Sequence, residues 1–520
     1  MILIYTIVIL MGGGLLAFLL GQWNKSLPRW IALCTVSVGF VVLVSFWIER
    51  YRAVNIHLSN TWMIDYRHDW IPSFGISFHL AIDGLSLLLL VLTFFLGKFG
   101  GTMLLERGER TCRFLSFQFT SGYWPEFPGY SWLWICSSFY FFWEIMLIPM
   151  YFLIGIWGSE NRVYAACKFF IFTQASGLLM LLAIIGLYFI HGRNTGIYTF
   201  NYFELLGTAI SPNVAFWLMM GFMIAFVVKL PIVPFHTWLP DAHSEAPTAG
   251  SLILAGLLLK TGAYGILRFV LPLFPEASRV FAPWAMLFGV IGIIYGAILA
   301  YSQTDLKRLV AYTSVSHMGF VILGIFAFNE LALQGVVMQL VTHAISTGAL
   351  FIMAGMLKER LHTRDINQMG GLWAQMPQMG AIAMLLAMAS LGLPGLGNFI
   401  AEFLILLGTF KANVLLTVIA AIGLVFSAIY SLRIVQKVFL GPSERSYQVR
   451  DFSFREIVIM AALTLSIVWL GLYPQPVINT AKPMIMKLEH IFSAENKNME
   501  KENPSVTPLN MHKYLVNNKE

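Results

Sequence analysis

The sequence predicts an all-α, polytopic membrane protein of about fourteen transmembrane helices. Three observations predict it. Of its 520 residues, 58% are hydrophobic and only 11% are charged, against roughly 25% charged in a soluble domain. The mean hydropathy is +0.74. The apolar residues also fall into runs of about 20, the length a helix needs to cross the hydrocarbon core.

The opening run, MILIYTIVILMGGGLLAFLLG, has no basic n-region and reads as a retained first span over 2–20. A second span follows at 30–48, then an outer loop over 49–82 that carries Trp62, Trp70 and Pro72. The next is 83–100, with Asp83 placed to cap its start. Further spans are predicted at 134–156, 168–190, 214–230 with a broken continuation, 249–271, 282–301 and 308–327. The last four are 332–356, 379–409 with an interruption, 412–432 and 457–473. Lys168 and Arg162 mark a cytoplasmic boundary. The tail from Ser493 is rich in Asn, Lys and Glu and reads as loosely ordered.

The region 101–133 does not fit this series. It is polar and aromatic, with Pro125, Pro128 and three glutamates. The basic loops nonetheless require a crossing there. Lys25 and Arg29, Lys307 and Arg308, Lys358, Arg360 and Arg364, and Arg433, Lys437 and Arg445 fall on one side only if the chain crosses once more between about 100 and 134. Either this stretch spans despite its composition or the recorded sequence is locally wrong. A short reading-frame slip, which would leave two normal flanks, is the favoured explanation. With that crossing there are fourteen spans and both termini are non-cytoplasmic. The expected organisation is N-terminal spans and outer loop over 1–110, a first half over 111–271 (anomalous at 111–133) and a second half over 272–436. A loop with the last span follows over 437–492, then a polar tail over 493–520.

Several functions are excluded by composition. The net charge of +7 is small for this length and forms no Lys/Arg-dense face, so nucleic acid is not an expected partner. The four cysteines show no metal or redox spacing, and no dinucleotide or Walker motif is present. Any nucleotide chemistry belongs to another chain.

The stretch KLPIVPFHTWLPDAHSEAPTAGSLILAGLLLK, Lys229 to Lys260, is where the chemistry concentrates. A lysine in a lipid-spanning helix costs a few kcal/mol or more. Here two lysines flank a segment broken by Pro231, Pro234, Pro240 and Pro247. Broken helices at membrane depth are tolerated where they line a cavity or are buried in protein. Glu144 lies in an equally apolar run, with Pro149 placed to loosen its helix. It is the expected partner of Lys229, either as a switchable pair or as a static salt bridge. Lys260 has no acid nearby in sequence, and a buried lysine that can lose its charge suits a proton relay. Arg268 is the better candidate for snorkelling to an interface. His317 and His343 are flanked by Thr313, Ser314, Ser316, Thr342, Ser346 and Thr347. Those hydroxyls could hold waters and pass protons, or simply join helices. Glu402 follows a second interruption at Gly392, Pro394, Gly395 and Gly397. His236, Asp241, His243 and Glu245, in or after the first break, line the proton path or its mouth. Their spacing fits no metal-site pattern.

These residues also carry a resemblance. WEIMLIPMYFLIGIWG, KFFIFTQASG, KLPIVPFHTWLPDAHSEAPTAGS, LLKTGAYGILRF, QTDLKRLVAYTSVSHMGF, HTRDINQMGGLW and LPGLGNFIAEF resemble the antiporter-like subunits of respiratory complex I. Those subunits are related to cation/proton antiporter subunits, and the subunit M family resembles the chain most. The resemblance covers nearly the whole chain and fails at about 101–133. It implies two inverted five-helix repeats, each with a discontinuous helix. It implies Glu144 and Lys229 as the entry pair, Lys260 as the central relay, His317 and His343 as connectors and Glu402 as the exit group. Several sister subunits carry lysine where Glu402 stands. The resemblance further implies a bacterial inner-membrane complex that uses NADH, FMN, iron–sulfur clusters and quinone on other subunits. Neighbouring membrane-arm subunits and lipid are the implied partners. Two other readings stay open: a subunit of a Na+/proton antiporter and a passive membrane scaffold.

Overall fold

A computed structural model describes residues 2–21, 23–24, 27–54, 62–71, 76–104, 136–442 and 449–502. The questioned stretch 101–133 therefore lies outside the described residues beyond Leu104.

Helices dominate because the apolar runs must satisfy their backbone groups internally. In chain order the helices and strands are α1 (Ile2–Leu20), α2 (Leu27–Val54), β1 (Ile64–Ile71), β2 (Ile76–Ile82), α3 (Gly84–Leu104), α4 (Cys136–Ile145) and α5 (Leu147–Trp157). Then come α6 (Arg162–Thr195), the short α7 (Tyr202–Leu205), α8 (Pro212–Lys229), α9 (Trp238–Glu245) and α10 (Thr248–Leu273). The second part holds α11 (Pro275–Ser302), α12 (Leu306–Ile325), α13 (Glu330–Leu361), α14 (Pro377–Ser390), α15 (Gly397–Ala412), α16 (Val414–Val438), α17 (Phe454–Leu472) and α18 (Gln475–Glu502). Among the described residues, eleven helices are long and apolar enough to cross a membrane.

Local signals set many boundaries. Asp83 caps α3 by accepting from Ser86 N at 2.9 Å. Asp305 accepts from Lys307 N and Arg308 N at the head of α12. Asn329 and Asn413 cap α13 and α16, and Ser453 with Glu456 forms a capping box on α17. The apolar run around Glu144 breaks at Met146, between α4 and α5. Pro149 explains the break, since it lacks an N–H and its ring crowds the carbonyl four residues back, that of Ile145.

The two breaks predicted from sequence are present. α8 stops at Lys229, residues 230–237 form turns, and α9 resumes at Trp238. The Trp238 indole donates to Val228 O at 2.9 Å, which ties the second segment back to the first. Further on, α14 ends at Ser390 and α15 begins at Gly397. Gly392 and Gly395 turn the chain between them with φ of 81° and 92°, a region that favours glycine. α10 and α13 pass through the middle of the bundle and are buried along their most apolar stretches.

Three expectations need correction. The outer loop contains an antiparallel hairpin, with Ile64 opposite Ile82 and Arg67 opposite His79. The start of the tail is helical, since α18 runs on to Glu502, and residues 503–520 lie outside the described residues. Arg268 does not snorkel: it is buried in an ion pair with Asp83 and lies over the Trp62 ring. A buried carboxylate at the head of α3 holds the guanidinium in place.

Candidate functional site

The first group of charges surrounds the interruption at Met146. Lys229 is the last residue of α8, where the helix dipole favours a cation. It is buried, its ammonium lies 3.5 Å from the centroid of the Trp143 ring, and it donates to Trp143 O at 3.3 Å. Glu144 is half-buried and lies within reach of the Lys229 charge, with Tyr140 and Gln174 beside it. Its carboxylate rests against Gly177 of α6, where an added Cβ would come within 1.9 Å of Oε1. The seat of Glu144 therefore depends on a residue without a side chain.

The second group crosses the centre. Lys260 lies between two π-helical turns, Leu254–Leu258 and Ile266–Val270. Such widened turns recur at functional sites, and here one presents the Ala255 carbonyl to Lys260 Nζ. The same ammonium meets His343 Nδ1 at 2.8 Å. The His343 ring meets the His317 ring edge to face, with centroids 5.4 Å apart. His317 Nδ1 meets Glu402 Oε1 at 2.8 Å. All four side chains are buried. The tertiary fold thus joins residues from α10, α13, α12 and α15 into one line of titratable groups.

Two residues that the sequence did not single out complete this line. Tyr430 OH lies 3.3 Å from His317 Nε2, and Gln339 Nε2 donates to Glu402 Oε1 at 3.4 Å. A buried tyrosine hydroxyl must find a partner, so Tyr430 inside an apolar run was the available signal. Conversely, several hydroxyls expected to pass protons bond to backbone instead. Thr313 and Ser314 donate to Val310 O, Ser316 to Ile293 O and Thr342 to Met338 O. Each saturates a helix carbonyl or joins two helices. Ser346 accepts from Asn398.

The polar residues of the first break are divided among different surroundings. Pro231 and Pro234 shape the turn after Lys229. His236 packs against Tyr295 and Tyr312. Asp241 is held by Lys168 at 2.7 Å and Arg308 at 3.1 Å. Glu245 pairs with Arg364, which also reaches Asp305. His243 is fully buried and stacked on Phe351. Pro394 lies in the second break, three residues before Gly397 opens the helix that carries Glu402. Among the described residues, no three His, Cys, Asp or Glu side chains gather as a metal site would require.

Residues 136–428 match the model of the family described as NADH:quinone oxidoreductase/Mrp antiporter, TM. The NADH-quinone oxidoreductase subunit M of Pseudomonas aeruginosa is 48% identical over 503 residues, covering 92% of this chain and 96% of that one. Subunit M of Escherichia coli is 47% identical, covering 95% and 98%. The chain belongs to this subunit M family. A chain of respiratory complex I from Thermus thermophilus with bound NADH superposes with a TM-score of 0.84 at 28% identity, over 95% of this chain and all of that one. A chain of the Mrp complex from Dietzia sp. gives 0.78 at 20% identity, over 94% and 99%. At that identity the likeness concerns the fold alone. The family-model match begins at the first residue described after the questioned stretch and takes in every charge of both groups.

Proposed function

We propose that this chain moves protons through the membrane arm of an NADH:quinone oxidoreductase, by the line Lys260–His343–His317–Glu402. As a subunit M family member it serves a complex whose redox chemistry lies on other subunits. The carrying observation is the continuity of that line across the bundle, with close contacts at both ends and the two imidazoles between them. One water between His343 and His317 would close the gap. A proton on Lys260 passes to His343, then to His317, and leaves through Glu402 beside the second break. Lys260 is left as a neutral amine, ready to be reloaded.

Glu144 and Lys229 form the entry pair. With both charged, each stabilises the other in low dielectric. A charge change in a neighbouring subunit that neutralised Glu144 would leave Lys229 destabilised and drive its proton inward. The fourteen-span topology, the two inverted halves, the non-cytoplasmic termini and a bacterial inner-membrane location complete this reading. The Lys/Arg-rich loops then mark the cytoplasmic face.

The decisive variant is Lys260→Met in the assembled complex, assayed in inverted membrane vesicles. The expected result is a loss of about a hundredfold in coupled quinone turnover, in the range for losing one proton-transfer group. NADH oxidation by an artificial acceptor should persist. Wild-type turnover with wild-type proton yield would overturn the relay. Sodium-dependent proton exchange by the chain without a redox arm would favour the antiporter reading.

A further inference from the structure

Among the buried imidazoles outside this line, His243 is the most enclosed. His243 is wholly enclosed and stacked on Phe351, with ring centroids 4.5 Å apart and planes 10° from parallel. Among the described residues, neither of its ring nitrogens has a protein hydrogen-bond partner. Buried polar atoms are nearly always satisfied, so two unmet nitrogens call for water beside the ring. Phe351 lies on α13 about two helical turns from His343, and Ser251, whose hydroxyl meets the His243 carbonyl, lies on α10 about two and a half turns from Lys260, so the ring is set between the two helices that carry those relay residues.

Lys307 stands ten residues before His317 on the same helix. It opens α12, is buried, and donates from Nζ to Ala246 O at 2.9 Å and to Ser251 Oγ at 3.3 Å. The Ser251 hydroxyl in turn donates to the backbone carbonyl of His243 at 2.9 Å. Lys307 is thereby pinned to the segment that carries His243. It also lines a cavity of about 330 Å³ together with Ser159, Thr248, Lys358 and His362, on the Lys/Arg-rich face.

We propose that Lys307 and His243 form a second loading branch of the relay, from this cavity to Lys260, independent of the Glu144–Lys229 pair. The inference rests on the relay reading above and adds an entrance to it. A proton from the bulk solution, carried by water in the cavity, protonates the Lys307 amine. The ammonium passes a proton, through water, to one ring nitrogen of His243. The imidazolium releases the proton on its other nitrogen, again through water, to the neutral amine of Lys260 and returns to neutral imidazole. Lys307, again an amine, is reloaded from the cavity.

Arginine separates transfer from mere charge. It keeps the cation and its hydrogen bonds but does not give up a proton. The experiment compares Lys307→Arg, His243→Phe and Lys260→Met in the assembled complex in inverted vesicles. Complex content is normalised by NADH oxidation with an artificial acceptor. His243→Phe keeps the stack on Phe351 and removes both nitrogens.

Because the Glu144–Lys229 entrance remains, Lys307→Arg and His243→Phe should each lower coupled turnover by about tenfold, less than a full loss of acid–base transfer. Wild-type turnover in either variant overturns the branch. If Lys307→Arg does not assemble, His243→Phe decides alone. Wild-type turnover in Lys260→Met would defeat the relay itself. A defective Lys260→Met beside normal Lys307→Arg and His243→Phe would defeat only the branch.

Discussion

The two broken helices hold their charges by different means. At the first break the cation, Lys229, ends a helix and is held by backbone and ring: a helix C-terminus, the Trp143 carbonyl and the Trp143 face. At the second break the carboxylate, Glu402, lies in the sixth position of the resumed helix, too deep for its dipole to matter much. It is held by side chains, His317 and Gln339. The first break is made by prolines that end a helix, the second by glycines that reverse it. At the first break the helix end and the ring fix the position of Lys229, and one neighbouring carboxylate, Glu144, is left to tune its charge. At the second break the groups that position Glu402 include one that titrates, so holding the carboxylate and exchanging its proton fall to the same contact.

The sharpest way to break this comparison is Glu402→Gln, which keeps shape but removes the carboxylate that His317 faces. Coupled turnover in inverted vesicles should fall by about a hundredfold, and an unchanged rate would place Glu402 outside the path. Next is Gly177→Val, which forces side-chain atoms into the seat of the Glu144 carboxylate. We expect turnover to fall about tenfold, the size of a disturbed rather than deleted transfer group, with assembly near normal by native gel. Wild-type turnover would show that Glu144 tolerates displacement.

Trp143→Leu tests the ring beneath Lys229. A desolvated cation–π contact contributes about 2 kcal/mol, so the midpoint of thermal inactivation of the complex should fall, and no shift would mean the carbonyl alone suffices. The smallest effect is expected from Tyr430→Phe. It removes one hydrogen bond to His317, worth about 1 kcal/mol, and should slow turnover about fivefold by that count. A loss as large as that of Glu402→Gln would make Tyr430 a member of the relay rather than a prop for it.

Legibility followed range. Each of the six relay candidates was visible in the sequence because an ionisable side chain inside an apolar run is costly anywhere in a membrane. The breaks were visible because Pro and Gly act within a few residues of themselves. Tyr430 and Gln339 were not, since a tyrosine or glutamine in a helix says nothing of which distant ring it meets, and Lys307 was read only as a loop charge. The β-hairpin was read as loop because its strands are short and partly polar. α18 was missed because an amphipathic helix on a bundle surface lacks the long apolar run of a span.

By itself the sequence determined the solvent. A chain this apolar with so few charges must fold in lipid, as helices, and must bury or pair its few ionisable groups. The tertiary structure alone decided the order of those groups. Lys260 and His343 stand 83 positions apart, and His317 and Glu402 stand 85, yet each pair meets within hydrogen-bond distance. Helix propensity and hydropathy act locally and cannot choose between neighbours at such separations. Packing chose them, where α10, α12, α13 and α15 bring their polar positions to one shared interior.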